Sequence, residues 1–140
     1  MTATLDPAVP EHAHALRRLA DERIGWLTTV DGDGQPHASP LWFIWEDGTI
    51  LVYSRTRTPR NAFVAAHPAV AFNLNTDPGG DDVVTMEGTA QVDPDAPPAH
   101  EHAAYLARYA DRIAGYGWTP EWFAEAYAVA IRITPTRWRL

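Results

Sequence analysis

The sequence contains no cysteine and no lysine, and both absences limit what the protein can be. Without thiols there can be no disulfide bond, no thiolate metal ligand and no cysteine nucleophile. The 11 basic residues, all arginine, are outnumbered by 18 acidic ones, which gives a formal net charge of -7. This acidity argues against a general role in nucleic-acid binding, because such a surface repels phosphate backbones.

Long apolar runs are also missing. No stretch reaches the roughly 18 residues that a membrane-spanning helix needs, and the amino terminus lacks the basic region and apolar stretch of a signal peptide. We therefore expect a cytoplasmic protein with no membrane partner. A length of 140 residues with a hydrophobic share of 46% predicts a single domain, residues 1–140, with a core of its own.

Turn residues and hydrophobic periodicity divide the chain into strands and helices. The predicted strands are 26–30, 35–45, 49–55, 69–75, 83–92 and 128–140. The predicted helices are 9–24, 59–67, 99–117 and 119–127. Asp-Gly turns join the first three strands, which favours an antiparallel meander, and Gly88 indicates a bulge or a close backbone approach. The pattern predicts a mainly β fold: an antiparallel β-barrel with α-helices.

The segment 54–61, SRTRTPRN, combines cations, hydroxyl groups and the start of a helix. Pro59 is a typical first helical residue, and the free N–H groups and dipole at a helix N-terminus attract anions. Arginine adds bidentate contacts that suit phosphate or carboxylate. The segment therefore fits an anion-binding site. Its candidate residues are Ser54, Arg55, Thr56, Arg57, Thr58 and Arg60.

Two other interpretations of these arginines were compared with the anion site. An exposed edge strand and loop can carry charge simply to block aggregation. Binding of RNA would need a wider basic face interleaved with aromatic residues, which the acidic remainder of the chain does not offer.

The strand before this segment contains a proline followed by aromatic residues. Pro40 cannot donate to a strand ladder, so it predicts an edge or a bulge that leaves backbone groups free to pair with a flat heterocycle. Trp42, Phe43 and Trp45 supply apolar surface nearby, or they belong to the core or to a dimer interface. Together the two segments predict a planar ring on one strand pair and its phosphate on the following loop.

The remaining polar motifs favour structural roles. Two histidine pairs have members two residues apart, which does not match the i, i+4 spacing of a helical zinc pair. Solvent-facing side chains are therefore predicted for His12, His14, His100 and His102. The acidic residues at 81–82 are predicted to be solvated rather than to bind a metal. No Walker, Rossmann or Gly-x-Ser-x-Gly pattern is present.

Three segments, in this order, resemble the pyridoxamine-5′-phosphate-oxidase-like split β-barrel superfamily: residues 25–55, the helix ending AAHPAVAF, and VVTMEGTAQV. More narrowly, the chain resembles the actinobacterial deazaflavin (coenzyme F420) dependent branch, the flavin/deazaflavin oxidoreductases of group B. The tail from Tyr116 to Leu140 is similar to a small subgroup of that branch. The resemblance implies an FMN-binding-like, antiparallel split barrel that forms a homodimer, with two cofactor sites at the subunit interface.

The resemblance also implies which residues contact the cofactor. The ring would pair with backbone at Ser39, Pro40, Leu41 and Trp42. The phosphate and tail would be held by Tyr53, Ser54, Arg55, Thr56, Arg57, Thr58, Arg60 and Asn61. Arg60 stands where the family usually has lysine, and Trp138 would come from the other subunit.

This chain departs from the subgroup after that cation. The subgroup continues with an Arg-Asn pair, whereas this chain has Ala62 and Phe63. Arg60 and Asn61 match that pair only if a short deletion is assumed. In either alignment one cationic contact to the cofactor tail is lost, and Arg57 is the candidate to replace it. FMN therefore remains the alternative cofactor.

The function implied by the resemblance is an F420-dependent oxidoreductase that transfers a hydride between reduced deazaflavin and a small electron-poor organic substrate. The cofactor carries such chemistry, so no catalytic side chain and no metal ligand is predicted. Two alternatives stay open: an FMN-binding protein related to pyridoxamine-phosphate oxidase, and a non-catalytic protein that binds or sequesters a cofactor.

Overall fold

A computed structural model describes residues 2–140 of the chain. The strands are β1 Ile24–Val30, β2 Pro36–Trp42, β3 Ile44–Glu46, β4 Thr49–Ser54, β5 Ala69–Leu74, β6 Thr85–Val92 and β7 Val129–Arg139. The helices are α1 Pro10–Asp21, α2 Pro59–Ala66, α3 Ala103–Gly115 and α4 Pro120–Ala126. Within residues 2–140, none of these helices has the length and apolar character needed to cross a membrane.

The seven strands form one antiparallel sheet in the order β2-β1-β5-β6-β7-β4-β3. The sheet curls so that its two edges, β2 and β3–β4, approach each other without a shared strand ladder. The fold is therefore a split β-barrel with four helices, which confirms the mainly β, antiparallel fold class expected from the sequence.

Tight turns close the two hairpins at the sheet edges. In the β1–β2 hairpin, the Asp31 N–H donates to the Gln35 carbonyl at 3.0 Å, and Gly34 has a φ of 82°. In the β3–β4 hairpin, Asp47 and Gly48 have φ values of 53° and 72°. Both turns need the left-handed backbone that Asp-Gly sequences tolerate, so these predicted turns are confirmed.

The predicted meander is wrong at its centre, because 35–45 is not one strand. The ladder stops at Phe43, and the chain crosses there from one edge of the sheet to the other. The Tyr109 hydroxyl takes the place of a strand neighbour: it accepts from the Phe43 N–H at 2.9 Å and lies 2.6 Å from the Phe43 carbonyl oxygen. This side-chain contact satisfies a buried piece of backbone that no strand pairs.

Two hydrophobic clusters share the strand β4. Ile50 and Val52 point into the barrel, where they pack with the α1 residue Leu19 and the other inward-facing side chains. Leu51 and Tyr53 point to the outer face, where α3 and α4 cover them. Because side chains alternate along a strand, one six-residue strand can fix the helices to the barrel.

Gly88 lies at a shift of register between β6 and β7, as the sequence predicted. A Cβ atom at this position would lie 2.8 Å from the Thr134 carbonyl oxygen, so only glycine lets the two backbones approach this closely. The alternation along β6 is also confirmed: Val84, Met86 and Ala90 are buried, while Val92 at the strand end is exposed.

Two predicted helices differ from those in the structure. The predicted helix 9–24 ends at Asp21, and β1 begins at Ile24. Gly25 therefore belongs to β1, where its missing side chain makes room for the Phe72 ring. The predicted helix 99–117 is interrupted at His102, which separates a short 3-10 turn, Ala99–Glu101, from α3. There the His102 Nδ1 caps α3 by accepting from the Tyr105 N–H at 3.1 Å.

Candidate functional site

A cavity of about 210 Å³ opens where the edge strand β2, the strand β4 and the helices α3 and α4 meet. Its strand side consists of Pro40, Leu41, Trp42 and Tyr53. Its helix side consists of Tyr105, Tyr116, Trp118, Phe123 and Tyr127. We call this space the aromatic cavity, because seven of its nine lining residues are aromatic.

Ring stacking holds the inner wall of the aromatic cavity. The Trp42 ring lies parallel to Tyr109, with centroids 5.0 Å apart and an interplanar angle of 6°, and it also stacks on Phe123 at 5.5 Å. Such offset pairs favour fixed ring positions. The wall is therefore set by packing between β2, α3 and α4.

A second stack runs from the cavity toward solvent. Tyr116 and Trp118 have centroids 4.6 Å apart, and Trp118 and Trp122 have centroids 4.8 Å apart. Tyr116 is 56% exposed and Trp122 is 47% exposed, unusual values for large aromatic residues. A left-handed glycine, Gly117 with φ 78°, makes the turn that brings Tyr116 and Trp118 together.

Two buried tyrosine residues in the cavity wall differ in the partners of their hydroxyl groups. The Tyr53 hydroxyl donates to the Pro97 carbonyl at 2.6 Å, and burial raises the pKa of Tyr53 to about 12. Tyr105 is 1% exposed, and within residues 2–140 its hydroxyl has no hydrogen-bond partner. Burial raises the pKa of Tyr105 well above its ordinary value. Its hydroxyl therefore remains protonated and free to donate.

The cationic segment lies beside the cavity, at the end of β4 and the start of α2. Arg60 donates to the hydroxyl oxygen of the buried Ser54 at 3.1 Å. Burial lowers the pKa of Arg60, and among residues 2–140 no carboxylate pairs with it. A partly desolvated guanidinium group without an anion is costly, so this position suits a bound anion.

Asn61 supports the same segment. Its side-chain amide donates to the Arg55 carbonyl at 2.9 Å, which fixes the orientation of the amide group. Its Oδ1 atom is buried and has no partner among the described residues. The Arg55 guanidinium lies 5.3 Å from the centre of the Tyr127 ring, which connects the cationic segment to the wall of the aromatic cavity.

The other predicted residues of this segment differ in how they are used. The Thr56 hydroxyl donates to the Glu125 carbonyl at 2.7 Å and accepts from the Ala128 N–H at 3.2 Å, so it holds the end of α4 in place. Thr58 is the residue before α2, but its side chain makes no capping bond. Arg57 is exposed and forms no ion pair within residues 2–140.

The structure thus brings part of the predicted set together. Pro40, Leu41, Trp42 and Tyr53 line one cavity, and Ser54, Arg55, Arg60 and Asn61 form a contiguous group beside it. Ser39 is half-buried and lies outside the cavity lining. The Trp138 indole N–H donates to the Ala3 carbonyl of its own chain at 3.2 Å. Contact of these residues with a cofactor stays a prediction.

Sequence reasoning missed the helix side of the cavity. None of the five lining residues on that side was predicted to belong to a site. A signal was present: seven of the 15 aromatic residues fall between positions 105 and 127, about a sixth of the chain.

The prediction that His102 faces solvent is wrong. His102 is 9% exposed, and its Nε2 lies 3.0 Å from a Glu46 carboxylate oxygen. Glu46 also accepts from Arg132, which donates to Asp93 at 2.9 Å. These contacts join β3, β7 and the segment before α3, so the cluster has a structural role. No group of three potential metal ligands occurs in the described part of the chain.

Comparison with known proteins agrees with the fold. A family model described as pyridoxamine 5′-phosphate oxidase matches residues 11–140. None of the curated proteins compared with the chain matches it. An F420 reductase of known structure is 26% identical, with a TM-score of 0.65, and the match covers 88% of this chain and 94% of that one.

Two more distant structures share the fold. A FAD-binding protein from Mesorhizobium loti is 19% identical with a TM-score of 0.64, and the match covers 99% of this chain and 93% of that protein. The heme storage protein HutZ from Vibrio cholerae is 16% identical with a TM-score of 0.60, over 96% of this chain and 92% of that protein. The fold is therefore shared by proteins with different cofactors, so the cofactor must be argued from the residues.

Proposed function

Because the chain belongs to the pyridoxamine 5′-phosphate oxidase family, we propose that it is an oxidoreductase with a flavin-type cofactor. Coenzyme F420 is the preferred cofactor in this proposal, and FMN is the alternative. The reaction is hydride transfer between reduced deazaflavin and a small electron-poor organic substrate. The observation that carries the proposal is the partly buried Arg60, whose only side-chain partner within residues 2–140 is the Ser54 hydroxyl.

Arg60 supports the proposal through its charge balance. Burial lowers its pKa, which means that the surroundings disfavour the charged form. A phosphate at this position would offset that cost with charge-assisted hydrogen bonds. The Ser54 hydroxyl and the N–H groups at the start of α2 are further donors for the same anion. Arg55 and Arg57 are exposed next to it, where they fit an anionic cofactor tail.

The ring of the cofactor is assigned to the edge strand β2. An edge strand keeps backbone N–H and C=O groups on its open side, and proline is tolerated on such strands. Four residues of this strand would hold the ring: Ser39, Pro40, Leu41 and Trp42. When bound, the cofactor supplies the hydride chemistry, while the chain orients the ring and excludes water from it.

A homodimer is part of the proposal. Most of β2 is exposed, including Pro36, His37, Ala38 and Pro40. A second subunit packed on this strand would cover the ring and protect the open edge from unspecific pairing. Sedimentation or light scattering tests this point, and a monomer at the concentrations used for binding would contradict it.

Cofactor binding without turnover is the second candidate function. It is compatible with the fold, because a heme storage protein, HutZ from Vibrio cholerae, has the same fold. The same strand and cationic segment would serve such a protein. The two candidates differ only in whether a substrate is reduced.

Titration of the purified protein with oxidised F420 and, separately, with FMN tests the proposal through quenching of tryptophan fluorescence. Micromolar binding of F420 alone is expected. Arg60→Ala should then weaken binding by about 1.5–3 kcal/mol, or about 10- to 150-fold. The control is Arg137→Ala, which removes an exposed arginine 3.8 Å from Glu87.

The outcomes separate the alternatives. Tight binding of FMN alone would contradict F420 as the cofactor. Unchanged affinity in Arg60→Ala would remove Arg60 from the site. Binding of F420 with no reduction of enones, quinones or nitro compounds by the reduced cofactor would favour the non-catalytic candidate.

A further inference from the structure

We infer that the aromatic cavity is a binding site for a planar aromatic compound of one or two rings that carries a hydrogen-bond acceptor, which Tyr105 holds in place. The assignment of this compound as the substrate rests on the proposed function. The binding itself does not, because the residues that select this ligand line the cavity or lie against its rings within one chain.

The size of the cavity selects small rings. An apolar cavity of about 150 Å³ is known to hold one benzene ring, whereas sites for larger, drug-sized ligands span about 300–1,000 Å³. At about 210 Å³, the aromatic cavity has room for one or two fused rings. A three-ring cofactor with its phosphate chain is larger than this volume, so we assign the cavity to a smaller ligand next to the cofactor.

The walls of the cavity select flat and uncharged or electron-poor rings. Trp42, Trp118 and Phe123 line the cavity with aromatic surface, and aromatic surface favours contact with a flat aromatic ligand. A cationic ligand is disfavoured for two reasons. No carboxylate is among the lining residues, and two of the lining rings already carry guanidinium groups, Arg55 over Tyr127 and Arg112 over Tyr116.

Tyr105 selects ligands that carry a hydrogen-bond acceptor. It is 1% exposed and lines the cavity, yet its hydroxyl has no partner within residues 2–140. This hydroxyl is therefore available to a ligand in the cavity, and a carbonyl or nitro oxygen on the ligand could accept a hydrogen bond from it. The other hydroxyl of the wall, on Tyr53, is already bound to the Pro97 carbonyl. The acceptor is therefore expected at Tyr105.

A pair of matched probes tests the inference without any cofactor. 4-Fluoroacetophenone carries a carbonyl oxygen, and 1-ethyl-4-fluorobenzene has the same ring and size without it. Fluorine NMR of each probe, titrated with the full-length protein, gives two dissociation constants. We expect the ketone to bind about three- to tenfold more tightly, the effect of one neutral hydrogen bond.

Three variants locate the binding. Tyr105→Phe should remove the preference for the ketone, whereas Tyr53→Phe should keep it, because that hydroxyl already has a protein partner. Trp118→Leu should weaken both probes alike, since it removes aromatic lining that both would contact. Circular dichroism of each variant confirms that the fold is retained.

Several results would overturn the inference: no binding of either probe, equal binding in the unmodified protein, or a preference that survives Tyr105→Phe. As a last experiment, probe binding is measured with saturating F420 present, and the probes are expected to stay bound. Displacement of the probes would show that the cavity holds the cofactor ring instead. Failure of F420 to bind at all would contradict the proposed function but leave the probe site in place.

Discussion

Tyr109→Phe tests the explanation given for the break between β2 and β3. The substitution removes one oxygen atom and keeps the ring, so the parallel stack on Trp42 at 5.0 Å remains. What is lost is the group that satisfies the backbone of Phe43, which is completely buried. The Arg23 carbonyl, 2.7 Å from the same hydroxyl, loses a possible donor as well.

The expected cost follows from the number of groups left without a partner. The Phe43 N–H loses its acceptor at 2.9 Å, and the single hydroxyl proton no longer reaches the carbonyl at 2.6 Å. A buried group left unsatisfied costs about 1–3 kcal/mol, so the free energy of unfolding should fall by about 2–4 kcal/mol. For a chain of this length the melting temperature should fall on the order of 10 °C.

Urea unfolding followed by circular dichroism measures this loss, with Tyr116→Phe as the matched control. Tyr116 is 56% exposed, so removal of its hydroxyl should change the free energy of unfolding by less than about 0.5 kcal/mol. An equally small change in Tyr109→Phe, with an unaltered dependence on urea, would refute the argument. The hydroxyl would then have no part in holding the two sheet edges together.

Two further predictions concern the barrel. Gly88→Ala should lower the free energy of unfolding by about 1–3 kcal/mol, because the new Cβ atom would lie 2.8 Å from the Thr134 carbonyl oxygen. In the same denaturation experiment Gly32→Ala should have almost no effect, because its Cβ atom would meet nothing within 4 Å. Equal decreases of the free energy of unfolding in the two variants would contradict the close backbone approach at Gly88. Hydrogen bonding from Arg132 lowers the pKa of Asp93, so its carboxylate stabilises the fold above its unfolded pKa of about 3.9 and loses this effect as the pH falls through the lowered folded value. The stability deficit of Asp93→Asn should therefore shrink in acid, and a deficit that is constant with pH would rule out the ion pair as its cause.

Local features of the sequence determined the helices and strands and the turns at which they begin and end. Asp-Gly sequences require left-handed backbone, so the two hairpin turns were predictable. The prolines at 59 and 120 fix a φ angle suited to a helix start, and both helices begin at those residues. The absence of a Cβ atom at Gly88 indicated the close backbone approach for the same local reason.

Tertiary structure decided how those elements meet. The apolar run around Phe43 looks like one strand, because the hydroxyl that replaces its ladder comes from Tyr109, 66 positions away. His102 is buried and contacts a carboxylate on β3, a partner that its spacing from His100 cannot reveal.

The candidate site also has one part that the sequence could predict and one part that it could not. The cationic segment is contiguous in sequence, so its residues could be named from charge and position alone. The helix side of the aromatic cavity could not, since those rings become a wall only when α3 and α4 pack on the outer face of β4. Backbone preferences act over a few residues and can be read locally, whereas a cavity is formed by side chains that are distant in sequence and meet only in the folded protein.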